Sequence, residues 1–293
     1  MAVDSASVAE DDVADSVRQF LARAFPDDDP ATPFSRPVAE PRGWSNRVFR
    51  TQRAGVDYYL RLPGPDPVGL RDPRGELDAW HRAVAAGVAR APLFLAPDTG
   101  AMVTRAIDGP DLTEMLAAPA AARRRAIAAL GETLGRLQAA PPPTRPRSRS
   151  ERAARRIAWL QARGVALDGA VLDAQARRSP ARDVFTHNDA IPENVVFAEQ
   201  VFLLDFETAA AGDGTLDLVH AARAAGLETK ETAALFEAAG RPLPTPTVLR
   251  GHHRTHALDE YLWAAVRIAC GDTRPGVREQ HDRCLSALRK PGA

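Results

Sequence analysis

The sequence predicts an α+β protein with a small β-rich N-terminal lobe and a larger, mainly helical C-terminal lobe. Three observations carry that expectation. Strand-type runs cluster between Trp44 and Thr104, helical apolar spacing takes over after Asp108-Gly109-Pro110, and an island of short apolar runs lies between Val184 and Leu204. The organisation that follows is an accessory N-terminal helix in residues 1–30, an N-lobe in 31–108 and a C-lobe in 109–293. With 293 residues and 45% apolar composition the chain has material for a sizeable core, which excludes disorder as its main state.

Val13, Val17, Phe20, Leu21 and Ala24 recur at helical spacing until Pro26 and Asp27-Asp28-Asp29-Pro30 end the pattern. Arg47-Val48-Phe49-Arg50, a turn at Ala54-Gly55 and the alternating Asp57-Tyr58-Tyr59-Leu60-Arg61-Leu62 then read as a hairpin. A helix is expected from Glu76 to Ala86, and a second hairpin from Pro92–Leu95 and Ala101–Thr104. In the larger lobe Ile127, Leu130, Leu134 and Leu137 share one face of a helix ending near Ala140. The Pro/Arg/Ser-rich stretch 141–150 reads as a mobile loop. Val184-Phe185, Val195–Phe197 and Val201–Leu204 read as buried strands, and the chain after Leu216 as helical.

Lysine plus arginine (38) equals aspartate plus glutamate (38), so no global field recruits nucleic acid or an anionic membrane surface. The only lysines are Lys230 and Lys290, so a phosphate-binding cation in the first lobe has to be an arginine. Cys270 and Cys284 lack metal-ligand spacing and read as reduced thiols. With no signal peptide in the acidic N-terminal segment and no long apolar stretch, a cytoplasmic protein without membrane partners is expected. His252 and His256 stand one helical turn apart, a metal-capable spacing, but without a third ligand in place they read as an exposed helix face. Arg123-Arg124-Arg125 and Arg155-Arg156 read as solvated faces.

The chemistry concentrates in His187-Asn188-Asp189-Ala190-Ile191-Pro192-Glu193-Asn194 and Leu203-Leu204-Asp205-Phe206-Glu207. Phosphoryl transfer needs a carboxylate to accept the hydroxyl proton and oxygen ligands that hold magnesium against the phosphates. These segments supply both, in the order and spacing of a kinase catalytic loop followed by its metal-binding element. Asp189 is the expected base, Asn194 and Asp205 the expected magnesium ligands, and His187 a brace for the loop. Upstream, Gly43-Trp44-Ser45-Asn46-Arg47 is placed to cover nucleotide phosphates through backbone N–H groups, Ser45 and Asn46. Arg61 stands mid-strand where a kinase carries its phosphate-pairing base, and Glu76 where the partner carboxylate falls.

These segments, with Tyr59-Leu60-Arg61-Leu62-Pro63-Gly64 and Val103-Thr104-Arg105-Ala106-Ile107-Asp108-Gly109, resemble the choline/ethanolamine kinase branch of the aminoglycoside-phosphotransferase-like superfamily. His-Asn-Asp at 187–189 and the arginine in Leu-Arg-Leu-Pro-Gly look like that branch. The resemblance implies a protein-kinase-like bilobal fold, ATP as co-substrate, two magnesium ions and a small-molecule alcohol acceptor held by acidic and aromatic groups. Choline, ethanolamine or a related amino alcohol is the acceptor it implies. It carries Asp217 and Trp263 over as acceptor-site residues. Ala224 stands where a further acidic residue is expected, which leaves Glu207 or Asp213 to face a cationic acceptor. The alternatives are an aminoglycoside-type antibiotic phosphotransferase, a nucleotide-binding pseudokinase and a non-kinase helical scaffold.

Overall fold

The computed structural model describes residues 17–26, 32–40, 46–144, 148–177 and 184–290. The chain forms two compact units, one from residues up to Asp66 together with Ala91–Asp108, the other from Pro67–Arg90 together with Gly109 onward.

The first unit is a five-stranded antiparallel sheet with a helix packed on it. Its elements are α1 (residues 17–24), β1 (Val38–Glu40), β2 (Asn46–Arg53), β3 (Val56–Pro63), β4 (Phe94–Leu95) and β5 (Met102–Arg105), with strand order β1-β2-β3-β5-β4. Ala54 and Gly55, both at positive φ (49° and 77°), close the β2–β3 hairpin, and such a two-residue loop matches the right-handed twist of its strands. Because β3 alternates, Tyr58, Leu60 and Leu62 turn to one face and meet Val17, Phe20 and Leu21 of α1 with Phe49 and Val103. The N-terminal helix is therefore a structural layer of this unit rather than an appendage. Val13, counted in the sequence pattern, lies outside the described residues.

The second unit opens with α2 (Pro73–Ala85), which the sequence pattern assigns to the smaller lobe. Its packing explains the difference. Trp80 is buried, its indole N–H donates to the Arg90 carbonyl at 2.6 Å, and its ring lies 5.2 Å from that of Phe206; the Leu203 N–H donates to the Val88 carbonyl at 2.8 Å. There follow α3 (Leu112–Ala117), α4 (Ala120–Ala139), α5 (Arg149–Gln161), α6 (Gly169–Ala176), β6 (Val184–Thr186), a 3₁₀ turn (Pro192–Asn194), β7 (Val195–Phe197), β8 (Val201–Leu203), β9 (Ala210–Gly212), α7 (Gly214–Ala224), α8 (Thr229–Ala238), α9 (Pro246–Ala269) and α10 (Pro275–Arg289). β6 pairs with β9 and β7 with β8, both antiparallel.

Ile127, Leu130, Leu134 and Leu137 are all buried on α4, as their spacing requires. One hydrophobic core packs α5, α6, α9 and α10 through Ile157, Leu160, Leu258, Tyr261, Leu262 and Leu288, with Cys284 as a small buried member. Cys270 is exposed. Each of the larger apolar side chains contributes roughly 2 kcal/mol by leaving water. Arg123 is no solvated residue: its guanidinium clamps Glu231 of α8 through bonds of 2.6 and 3.0 Å. The expected loop over 141–150 ends earlier, because Ser148 and Glu151 form a reciprocal capping box that starts α5 at Arg149. Where the chain enters this unit, a Cβ on Gly109 would fall 1.9 Å from the Phe197 carbonyl oxygen, and the Phe197 N–H donates to the Pro110 carbonyl at 2.9 Å. Among the described residues no helix is long and apolar enough to cross a membrane.

Candidate active site

In the second unit the short strands exist to present two loops. The first leaves β6 at Thr186 and runs through His187, Asn188 and Asp189 into the 3₁₀ turn, where Pro192 stands at the first helical position and Asn194 at the last. The second leaves β8 at Leu203 and carries Asp205, Phe206 and Glu207.

His187 ties the loops together. It is fully buried, its Nε2 lies 2.9 Å from the Leu204 carbonyl, and its Nδ1 accepts from the Asp189 N–H at 3.2 Å. That pairing requires the neutral ring with its proton on Nε2. Burial holds its pKa down at about 4, partly opposed by the Leu204 carbonyl. Asn188 and Asp205 both adopt the left-handed backbone region, φ 66° and 61°. An asparagine tolerates that region better than a branched residue does. Asn188 also donates its side-chain N–H to the Thr208 carbonyl at 3.0 Å.

Asp189 and Asn194 are brought together: Asn194 Nδ2 donates to the Asp189 carbonyl at 3.0 Å and to Asp189 Oδ2 at 3.2 Å. Because the amide N–H groups face Asp189, the Asn194 amide oxygen is the atom presented to a cation, the hard oxygen donor that magnesium takes. Burial, followed by the charges of Glu207 and Glu260, pushes the Asp189 carboxyl up to about 7 against the pull of Arg149 and Arg152.

Asp217, expected as an acceptor-site residue, turns its carboxylate to the backbone of the catalytic loop. It is fully buried in α7, and its two oxygens accept the backbone N–H groups of His187 (3.0 Å) and Asn188 (2.7 Å). It braces the loop that carries Asp189. Asp213 is likewise a structural group, capping α7 by accepting from the Thr215 and Leu216 N–H groups at 2.9 and 3.3 Å. Trp263 is half-buried on α9 with the Arg267 guanidinium 5.9 Å from its ring centre. Glu207 is half-buried, and its carbonyl accepts from Arg152 at 3.3 Å. Glu76 is buried in the first turn of α2. In the first unit, Asn46 begins β2, and Arg61 is buried with its Nη2 donating to the Gly100 carbonyl at 3.2 Å. Ser45 lies outside the described residues.

Sequence reasoning missed the charged groups of α5 and α9. Arg149 donates to the Asn188 carbonyl at 3.0 Å and pairs with Asp259 at 3.3 Å. Glu260 acts on Asp189 from one turn before Trp263. The arginine spacing at 149, 152 and 156, behind a Ser-x-x-Glu cap, was the available signal.

His252 and His256 are buried, not exposed: the His256 ring lies 4.5 Å from that of His220 on α7, and His252 Nε2 lies 3.8 Å from Asp213. His220, His256 and Glu260 bring ligand atoms within 4.8 Å of one another. Arg149 stands 3.3 Å from His220 Nδ1, and Arg149, Arg223 and Arg283 add positive charge at His256, a field that opposes a divalent cation. Burial, aided by these arginines, holds His220 and His256 well below the usual histidine pKa. A depressed histidine contributes stability in full above the unfolded value of about 6.5 and loses it as pH falls toward the folded value. The raised carboxyls of Asp189 and Asp217 act in the opposite sense, so individual rings are the place to look. Imidazole NMR should find His187, His220 and His256 neutral from pH 7.5 to about 5.5, with the His187 proton on Nε2. A His187 titrating near 6.5 would contradict the geometry.

The family model for the phosphotransferase enzyme family matches residues 38–258. Among solved structures, the chain is similar to a choline/ethanolamine kinase family protein from Mesorhizobium loti, at TM-score 0.67 and 22% identity over 93% of this chain and 95% of that one. It is similar to choline kinase LicA from Streptococcus pneumoniae, at TM-score 0.69 and 13% identity over 93% and 99% of the two chains. LicA is also known in complex with AMP. The aminoglycoside phosphotransferase APH(2″)-IIia, solved with GDP and kanamycin, matches at TM-score 0.63 and 16% identity over 93% and 97%. Comparison with curated proteins gave no match. Its fold is thus that of kinase-like phosphotransferases, and with the family model spanning well over half of its length the chain belongs to the phosphotransferase enzyme family.

Proposed function

We propose that the enzyme transfers the γ-phosphoryl group of ATP to the hydroxyl of a small amine-bearing alcohol, choline, ethanolamine or a related amino alcohol. The observation that carries this reading is the Asp189–Asn194 pair on a loop locked by His187 and Asp217. Asp189 orients the acceptor hydroxyl and takes its proton as the oxygen bonds to phosphorus and ADP leaves; a carboxyl near pH 7 suits a base working at neutrality. Asn194 and Asp205 would hold magnesium, which neutralises charge on the phosphates when bound. Ser45, Asn46, Arg61 and Glu76 are assigned to the nucleotide phosphates. Nucleotide use is supported by the AMP and GDP complexes of the similar structures.

Glu207 and Glu260, whose charges act on Asp189, stand in for the acid missing at Ala224 and face the amine, with the Trp263 ring as a surface for it. The arginines around the same loop disfavour a polycationic antibiotic as acceptor.

The test is magnesium-dependent ADP release across choline, ethanolamine, other amino alcohols, sugars, thiamine and aminoglycosides, with Asp189→Asn as the blank. Release confined to wild type and to amine-bearing alcohols supports the reading, whereas release only with sugars or aminoglycosides overturns the acceptor class. Asp205→Ala should weaken nucleotide binding in magnesium by about tenfold or more and leave magnesium-free binding little changed. Calorimetry with and without the metal measures this, and an unaltered metal dependence would remove Asp205 from the ligand set.

A further inference from the structure

From the His187 N–H to the Asp189 carbonyl, each backbone polar group of the loop meets a side chain. Asp217 accepts the N–H groups of His187 and Asn188 at 3.0 and 2.7 Å, and the Thr208 hydroxyl donates to the His187 carbonyl at 3.1 Å. The Asp189 N–H donates to His187 Nδ1 at 3.2 Å, and the Asp189 carbonyl accepts from Asn194 Nδ2 at 3.0 Å. The remaining group, the Asn188 carbonyl, accepts from Arg149 Nη2 at 3.0 Å. Backbone groups inside a protein need partners, and here side chains set the plane of each peptide.

The Asn188–Asp189 peptide is the one that aims the Asp189 side chain. Asn188 sits at φ 66°, a backbone state that lasts only where its surroundings impose it. His187 imposes it on the N–H side and Arg149 on the carbonyl side. Arg149 is itself seated on two other helices: its Nε lies 3.3 Å from Asp259 on α9, and the same Nη2 lies 3.3 Å from His220 Nδ1 on α7. A guanidinium only donates and Nη2 carries two hydrogens, so one goes to the Asn188 carbonyl and the other to the His220 ring. That ring is buried and stacked 4.5 Å from the His256 ring, which keeps it in place as an acceptor.

We propose that Arg149 is a positioning residue for the transfer, holding the Asn188–Asp189 peptide in the orientation that points the Asp189 carboxylate at the acceptor hydroxyl, with His220 seating the guanidinium. This rests on the assignment of Asp189 as the base. Arg149 works through the backbone and bonds to no reacting atom, so it acts on kcat and not on binding.

The variants that test it are Arg149→Met, Arg149→Lys, His220→Leu and His220→Asn. Magnesium-dependent ADP release across the acceptors named above gives kcat and acceptor KM, calorimetry gives nucleotide affinity, and NMR gives the exchange rate of the Asp189 amide. Arg149→Met should lower kcat by about 10–100-fold, with acceptor KM and nucleotide affinity within about twofold of wild type. Exchange at the Asp189 amide should quicken by about tenfold or more. Arg149→Lys keeps a cation beside Asp259 without the planar fork, so it should fold even where the methionine variant does not, and recover part of kcat. His220→Leu should reproduce the loss, and His220→Asn, whose amide oxygen can stand where Nδ1 stands, should avoid most of it. Adding His220→Leu to Arg149→Met should lower kcat little further, because both remove one seat. Wild-type kcat in both arginine variants overturns the proposal and leaves Asp189 as the base. So does a loss of kcat matched by a loss of folded protein, or a rise in acceptor KM at constant kcat, which would put the guanidinium on the acceptor. Arginine-dependent exchange at Asp189 in an enzyme that turns over no acceptor supports the clamp while sinking the assignment of the base. Unchanged exchange with no turnover overturns both.

Discussion

Replacing Asp189 by asparagine should remove acceptor-dependent turnover by about 10²–10⁴-fold while nucleotide affinity stays close to wild type. The two side chains have the same shape, and an asparagine oxygen still accepts the Asn194 N–H that now reaches Asp189 Oδ2 at 3.2 Å. What the amide lacks is a place for the hydroxyl proton. Because Asp189 sits behind a metal-ligand candidate and not on it, the donor nucleotide should bind as before. Stopped-time ADP assays and calorimetric titration separate the two quantities. A parallel loss of both would mean that Asp189 holds the donor and that the base lies elsewhere.

Asp217→Ala should be the most damaging substitution to the site that touches no reactant. Two backbone N–H groups, those of His187 and Asn188, would lose their acceptors inside the protein, at about 1–3 kcal/mol each. For a protein of this size that corresponds to a fall in Tm of roughly 10 °C. Asp217→Asn keeps one acceptor oxygen, so it should fold better and lose kcat more than acceptor KM. If instead the acceptor KM rises with stability unchanged, Asp217 contacts substrate and the brace is a misreading.

What the sequence disclosed followed the range of each signal. The alternation in Asp57–Leu62 is local, and it correctly separated Tyr58, Leu60 and Leu62 from Arg61. The motif spacing located Asp189, Asn194 and Asp205 in two loops, and the structure joins the first two directly. Signals that depend on tertiary neighbours were lost. His252 and His256 were read as an exposed face because no third ligand stands near them in sequence, yet both are buried. Arg149 fell in the stretch read as a mobile loop and Arg152 drew no reading at all, since composition does not say which face of α5 meets the Asn188 and Glu207 carbonyls. Asp217 was singled out, but its partners are two backbone N–H donors, those of His187 and Asn188, which no side-chain motif records.

Gly109 has a further consequence, for which substitutions the enzyme can survive. A single methyl group there would collide with the Phe197 carbonyl, and Phe197 closes the short strand that begins one residue after Asn194. The neighbouring Pro110 carbonyl accepts the Phe197 N–H, so a shift at Gly109 is coupled to that strand. Inactivating mutations selected at random should therefore include a position that bears no functional group, and the lesion would reach Asn194, the asparagine proposed to hold the metal, as a shift in position rather than as a change in chemistry.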